Sequence, residues 1–150
     1  MAEFHVSNAD FVQTIHKSFL RQGLMRLFGA ALDVVQPGHV SIILPFNEGL
    51  TQQHGFFHAG AITSIVDSAC GYAALTLMPP GTEVLTIEYK VNFVTPASAA
   101  YVVAHGRVLK PGRTITVCQG EVVAVKDGME KLCATMLATM ISRQEAHVDG

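Results

Sequence analysis

Residues 59–82 read AGAITSIVDSACGYAALTLMPPGT, a 24-residue stretch with a single charge, Asp67, that runs out at Pro79-Pro80-Gly81. Ile62, Ile65, Val66, Ala69, Ala73 and Leu77 fall at i, i+3, i+4, i+7, i+11 and i+15, which predicts one long helix. Its remaining faces are also small or apolar, so the helix is expected to be buried all round. A membrane span is the competing reading; the Asp, the Ser and Thr content and the Pro-Pro-Gly stop weigh against it.

Downstream, the period changes to two. Leu85, Ile87, Tyr89, Val91 and Phe93 alternate with Thr86, Glu88, Lys90 and Asn92, the pattern of a strand with one face on a core. Three further runs rich in Val, Thr and Ile, 99–109, 114–125 and 132–141, are joined by Lys110-Pro111-Gly112-Arg113 and Lys126-Asp127-Gly128-Met129, which predicts an antiparallel meander. Residues 142–150 are polar and expected to fray.

Upstream, 30–35 and 40–45 flank Gln36-Pro37-Gly38-His39, a hairpin turn. Phe11, Ile15 and Phe19, with Leu20 beside them after a Ser7 or Asn8 cap, predict an amphipathic helix that breaks near Gln22-Gly23. A second short turn is expected through Leu24 to Phe28. The fold class is α+β: a curved antiparallel sheet wrapped round a central helix, with an N-terminal helical cover over 7–28. Strand edges and an outer face rich in Val and Ala call for a second copy, in a dimer or a dimer of dimers.

With 150 residues, the chain is expected to form one domain, 1–150, that buries roughly 70% of its unfolded surface. Ten Lys and Arg against twelve Asp and Glu leave a net charge of −2, without the basic surface a nucleic acid needs. Cys70, Cys118 and Cys133 are odd in number and widely spaced, so neither a disulfide framework nor a zinc site is suggested. A reducing cytoplasm fits. Glu3, His5 and Asp10 near the start do not make a signal peptide.

Asp67 is the most informative residue, because an ionised carboxylate in an apolar interior costs several kcal/mol unless partners or water reach it. Thr63, Cys70, Gly71 and Ala74 flank it on a helical wheel and leave room for another molecule. A structural Asp bonded to a neighbouring strand is the plainer alternative. Just before the helix, Gln52-Gln53-His54-Gly55-Phe56-Phe57-His58-Ala59-Gly60 allows a ligand close to the backbone, and the first helical N–H groups can hold an oxyanion. Nine residues of helix, about 13 Å, separate His58 from Asp67, so the two would serve one site only across a dimer. His54 and His58 lack a third ligand nearby, and no metal is expected.

These residues resemble the PaaI-type hotdog-fold acyl-CoA thioesterases. His58-Ala59-Gly60 followed by Asp67 resembles the family's H-G-G with an acid nine residues on. The run 85–97 resembles its long strand and 106–114 its next hairpin. The resemblance implies dimers or tetramers with sites between subunits, and hydrolysis of acyl-CoA to free acid and CoA with no cofactor beyond the CoA of the substrate. It implies Asp67 as general base or nucleophile, the N–H of Ala59 with Gly60 beside it as oxyanion hole, and His58 lining the same spot. Gln52 stands where the family commonly has Asn, and Thr86 where it has Ser or Thr. Gly55 belongs to the close-approach loop, and Lys110, Gly112, Arg113 and Thr114 form the turn expected to meet CoA phosphates. For the acyl side, Phe56, Phe57 and Tyr72 are expected, covered by Phe19 and Leu24. A non-catalytic acyl-CoA-binding or regulatory module is the alternative, and a dehydratase on the same fold ranks last.

Overall fold

The computed structural model describes residues 3–146. Helices α1 (Phe11–Arg21) and α2 (Gly23–Phe28) precede a hairpin of β1 (Ala31–Gln36) and β2 (His39–Pro45). The long helix α3 (Ala59–Leu75) follows, and then β3 (Thr82–Phe93), β4 (Tyr101–Lys110), β5 (Ile115–Lys126) and β6 (Met129–Gln144). The six strands form one sheet, antiparallel throughout, in the order β1-β2-β4-β5-β6-β3. The sheet wraps α3, which packs on β2 through β6, in the α+β arrangement expected from the sequence. The first helix breaks at Gln22 as expected, with Ile15 and Phe19 buried.

Two glycines bring the helix onto the sheet. Gly106 of β4 and Gly120 of β5 are direct partners across the ladder. A Cβ at Gly106 would lie 2.3 Å from the backbone of Ala69, and one at Gly120 2.4 Å from a methyl of Val66. Any side chain there would lift α3 off the strands.

The helix stops slightly earlier than the sequence predicts, at Leu75 instead of at Met78 before the Pro-Pro-Gly stop. The buried hydroxyl of Thr76 donates to the carbonyl of Ala73 (2.6 Å) and accepts from the N–H of Gly38 (2.8 Å), which ties the helix end to the β1–β2 turn. Nor is α3 buried all round. Ala59 and Gly60 are exposed, and Thr63, Ser64, Asp67 and Ser68 are only partly buried. Pairs recurring every four residues make one open stripe.

The strand at 82–93 departs most from expectation. It pairs with β6 at the sheet edge, so the meander is β4-β5-β6 and β3 stands outside it. Thr86 opposes Met140, but Glu88 opposes Thr139, so a bulge at Ile87 shifts the register. Before the bulge Val84 and Thr86 face α3; after it Tyr89, Val91 and Phe93 take that face, opposite Ala138, Met136 and Ala134. Strict alternation from Leu85 to Phe93 therefore does not describe one buried face. Leu85, Ile87, Tyr89 and Phe93 are each about half exposed.

At the other end, Ser142–Gln144, expected to fray, is strand paired with Thr82–Val84. Residues 147–150 lie outside the described part. No helix among the described residues is long and apolar enough to cross a membrane. The three cysteines are free and buried.

Candidate functional site

The open stripe of α3 presents Asp67 to the edge strand. The hydroxyl of Thr86 donates to Asp67 Oδ1 at 2.8 Å, a contact made possible by the phase β3 keeps before its bulge. Burial pushes the Asp67 carboxyl above its ordinary value, and the bond from Thr86 pulls it back down. Asp67 lines a cavity of about 190 Å³ together with Ser68, Tyr72, Thr86, Ser18 and Gln22.

The last two come from the N-terminal helices. Gln22 Nε2 donates to the Tyr72 hydroxyl (3.1 Å), Ser68 Oγ donates to Gln22 Oε1 (2.9 Å), and Ser18 Oγ lies 3.2 Å from the Tyr72 oxygen. The cover was expected to contribute Phe19 and Leu24. Phe19 instead packs behind the Tyr72 ring, centroids 6.1 Å apart, and Leu24 lies outside this cavity. Sequence reasoning missed Gln22 and Ser18. The signal was available in the polar residue placed at the helix break.

At the start of α3, His58 is the N-cap. Its Nδ1 accepts from the N–H of Gly60 (2.8 Å), and its carbonyl accepts from Ala61 (3.0 Å) and Ile62 (3.2 Å). Of the four N–H groups that open the helix, Ala59 alone has no acceptor among the described residues. Gly60, grouped with Ala59 in the sequence reading, has its donor occupied.

Ala59 lines a second cavity, about 380 Å³, with Gln52, Phe56, Phe57, Phe93 and Pro96. Gln52 is fixed there by a turn: its N–H donates to Phe56 O (2.9 Å) and its carbonyl accepts from Gly55 (3.0 Å). Gly55, at φ 83°, supplies the left-handed residue this turn requires. Gln52 Oε1 accepts from the His54 N–H, which leaves its amide N–H₂ for the cavity. Gln53 is exposed and outside it. The structure does not bring His58 to this spot, because its ring borders a separate hollow beside Phe28, Leu50 and Ser64.

The two cavities are distinct within one chain. Ala59 and Asp67 are eight residues, about 12 Å, apart along α3. Thr86 and Phe93, which border the two cavities, are about 23 Å apart along β3. Lys110, Gly112, Arg113 and Thr114 form the exposed β4–β5 turn, with β5 starting at Ile115. A Cβ on Gly112 would meet the Ile115 carbonyl oxygen at 2.1 Å, so the turn requires glycine there. Thr116 pairs with Met140 and Met140 with Thr86, so this basic turn projects at the Asp67 end of the sheet, two strands from Thr86. No cluster of three metal-binding side chains occurs among the described residues.

The wrapped helix thus carries a partly buried carboxylate along its length and an N–H without an acceptor among the described residues at its start. The thioesterase superfamily model matches residues 54–131, just over half of the chain, and the chain belongs to that superfamily. It is a hydrolase of that class with the PaaI-type hotdog fold. A thioesterase family protein from Silicibacter pomeroyi is 45% identical, with a TM-score of 0.88 over 89% of this chain and 98% of that one. The PaaI protein of the E. coli phenylacetic acid degradation operon shares the fold at 17% identity, with a TM-score of 0.82 over 95% of this chain and 99% of that one. A protein of Saccharolobus solfataricus named "Putative esterase" is 27% identical over 91% of this chain and 88% of its own length.

Proposed function

We propose that the protein hydrolyses acyl-CoA thioesters to free acid and CoA, at sites composed by two copies of the chain. The observation that carries this reading is that Asp67 and the one free N–H at the helix start lie in separate cavities at opposite ends of an exposed edge strand. Antiparallel pairing of two β3 strands about a centre between Tyr89 and Lys90 sets Thr86 of one copy opposite Phe93 of the other. The Asp67 cavity of each copy then meets the Ala59 cavity of its neighbour. The same pairing covers Leu85, Ile87 and Tyr89 and satisfies the open edge.

In that composite site the Ala59 N–H, at the positive end of α3, donates to the thioester carbonyl oxygen, and the Gln52 amide donates beside it. Such a preorganised donor contributes about 3–4 kcal/mol to the transition state. Thr86 holds one oxygen of Asp67 and leaves the other for water. Asp67 takes a proton from that water as hydroxide adds to the carbonyl; the C–S bond then breaks and the CoA thiolate leaves with the proton. Lys110 and Arg113 meet the CoA phosphates from the edge of the sheet.

The test is a panel of acyl-CoA substrates monitored for free thiol, with Asp67→Asn as control. Release of CoA by the native chain, reduced at least a hundredfold in the variant, supports the reading. Tight acyl-CoA binding without turnover assigns the chain instead to a non-catalytic binding module.

A further inference from the structure

His39 of β2 and His105 of β4 line neither cavity of the candidate site. Their chain neighbours Val40, Ala104 and Gly106 are buried on the α3 side, so the alternation of a strand turns both imidazoles to the outer face of the sheet. His39 pairs with Arg107 and Ser41 with His105, which makes the two histidines diagonal neighbours across the β2–β4 ladder. His39 Nε2 lies 3.3 Å from His105 Nδ1, with ring centroids 5.6 Å apart and ring planes inclined by 30°.

That separation is long for a hydrogen bond, and it is the span of a bound ion. Two Zn–N bonds of about 2.0–2.1 Å at the tetrahedral angle set their nitrogens about 3.3–3.4 Å apart. The rings now face nearly head-on, and each needs a turn of about 35° to aim its lone pair at a common point; the outer torsion of a histidine is broad enough to allow it. Burial, with the Arg107 guanidinium beside it, holds both imidazoles below their ordinary pKa, so at pH 7 both are in the neutral form that ligates. Glu121 is the cross-strand partner of His105, and Asp33, which accepts from Ser41 Oγ at 3.0 Å, also acts on both rings. With Glu130 these carboxylates outnumber the single guanidinium, and the local field favours a cation.

We infer that His39 Nε2 and His105 Nδ1 together bind one divalent ion of the class that prefers imidazole, such as Zn²⁺, on the outer face of the sheet. No third metal-binding side chain joins them among the described residues, so water fills the remaining positions. The hydrogen that one facing nitrogen carries moves through water to the far nitrogen of the same ring, and no net proton is released. The ion ties β2 to β4, stabilises the folded chain by mass action and takes no part in the proposed hydrolysis.

The experiment titrates the full chain, stripped of metal with a chelator, with ZnCl₂ and separately with MgCl₂ in a calorimeter. One Zn²⁺ per chain, a Tm that rises with ZnCl₂, and no saturable binding of Mg²⁺ are expected. His39→Gln and His105→Gln should each weaken Zn²⁺ binding at least tenfold, whereas His16→Gln, at an exposed helical position, should leave it unchanged. The Tm of each metal-free variant shows that it has folded. In the native chain, nitrogen NMR should show the His39 Nε2 and His105 Nδ1 signals shifting together as Zn²⁺ is added, a readout that needs no substitution. Absence of Zn²⁺ binding, a loss smaller than tenfold in both folded variants, or shifts confined to other histidines overturns the inference.

Discussion

The Thr86 hydroxyl, nineteen residues beyond Asp67 in the chain and directly before the bulge in the edge strand, sits 2.8 Å from Asp67 Oδ1. It opposes the effect of burial on the carboxyl. With Asp67 as the proposed base, which must be ionised, activity is expected to be lost as pH falls through its folded pKa, which lies above the ordinary 3.8. Thr86→Val removes the bond that lowers that pKa. The acid limb of the kcat profile is expected to move to higher pH, with kcat at neutral pH reduced about tenfold. An unmoved acid limb would show that Thr86 does not act on Asp67.

Asp67 also opposes folding. Its folded pKa is raised above the unfolded value, so the native state binds a proton more readily than the unfolded chain. The penalty is full above the folded pKa and vanishes as pH falls below the unfolded one. Asp67→Asn is therefore expected to raise Tm at pH 7 while abolishing activity, and to leave Tm unchanged near pH 3. Thermal unfolding at the two pH values checks the sign.

His58 acts through its cap. Asn is as good an N-cap as any residue, so His58→Asn should keep the fold and activity. His58→Ala should cost about 1 kcal/mol in denaturant unfolding, with activity following the fraction folded. A loss of kcat in a fully folded His58→Asn would instead place the ring in the chemistry.

Much of the fold was legible because it rests on periodicity. The apolar run at 59–75, the turns at Pro37-Gly38 and Asp127-Gly128, and the helix break at Gln22 follow from local patterns. Departures arose where one side chain overrides a pattern. Thr76 ends α3 through a bond to Gly38, a residue thirty-eight positions earlier. Ile87 shifts the phase of β3 by one residue, so an alternation that looks continuous in sequence spans two faces. Of the residues in the proposed site, Asp67, Thr86, Ala59 and Gln52 are the ones that spacing and resemblance point to. The capture of the Gly60 donor by His58, and the arrival of Ser18 and Gln22 beside Asp67, depend on tertiary geometry that no local window contains.

Gly106 offers a test of the packing. Gly106→Ala places a methyl against the Ala69 backbone, which has no rotamer to escape by, and is expected to cost about 1–3 kcal/mol in urea unfolding. Gly128→Ala, at an exposed turn with φ 74° and nothing within 4 Å, should cost about 1 kcal/mol by backbone strain alone. Equal losses at both would indicate that α3 yields to the methyl.

The composite site is tested most directly by mixing two disabled chains. Ala59→Pro deletes the free N–H at a first helical position that accepts proline, and His58 before it is already extended (φ −64°, ψ 139°). Asp67→Asn deletes the carboxylate. Each variant alone should be at least a hundredfold slower than the native protein. When the two are unfolded together and refolded as an equal mixture, half of the dimers carry one intact site, and activity should return to about a quarter of the native level. A mixture no more active than its parents would contradict a site shared between two copies.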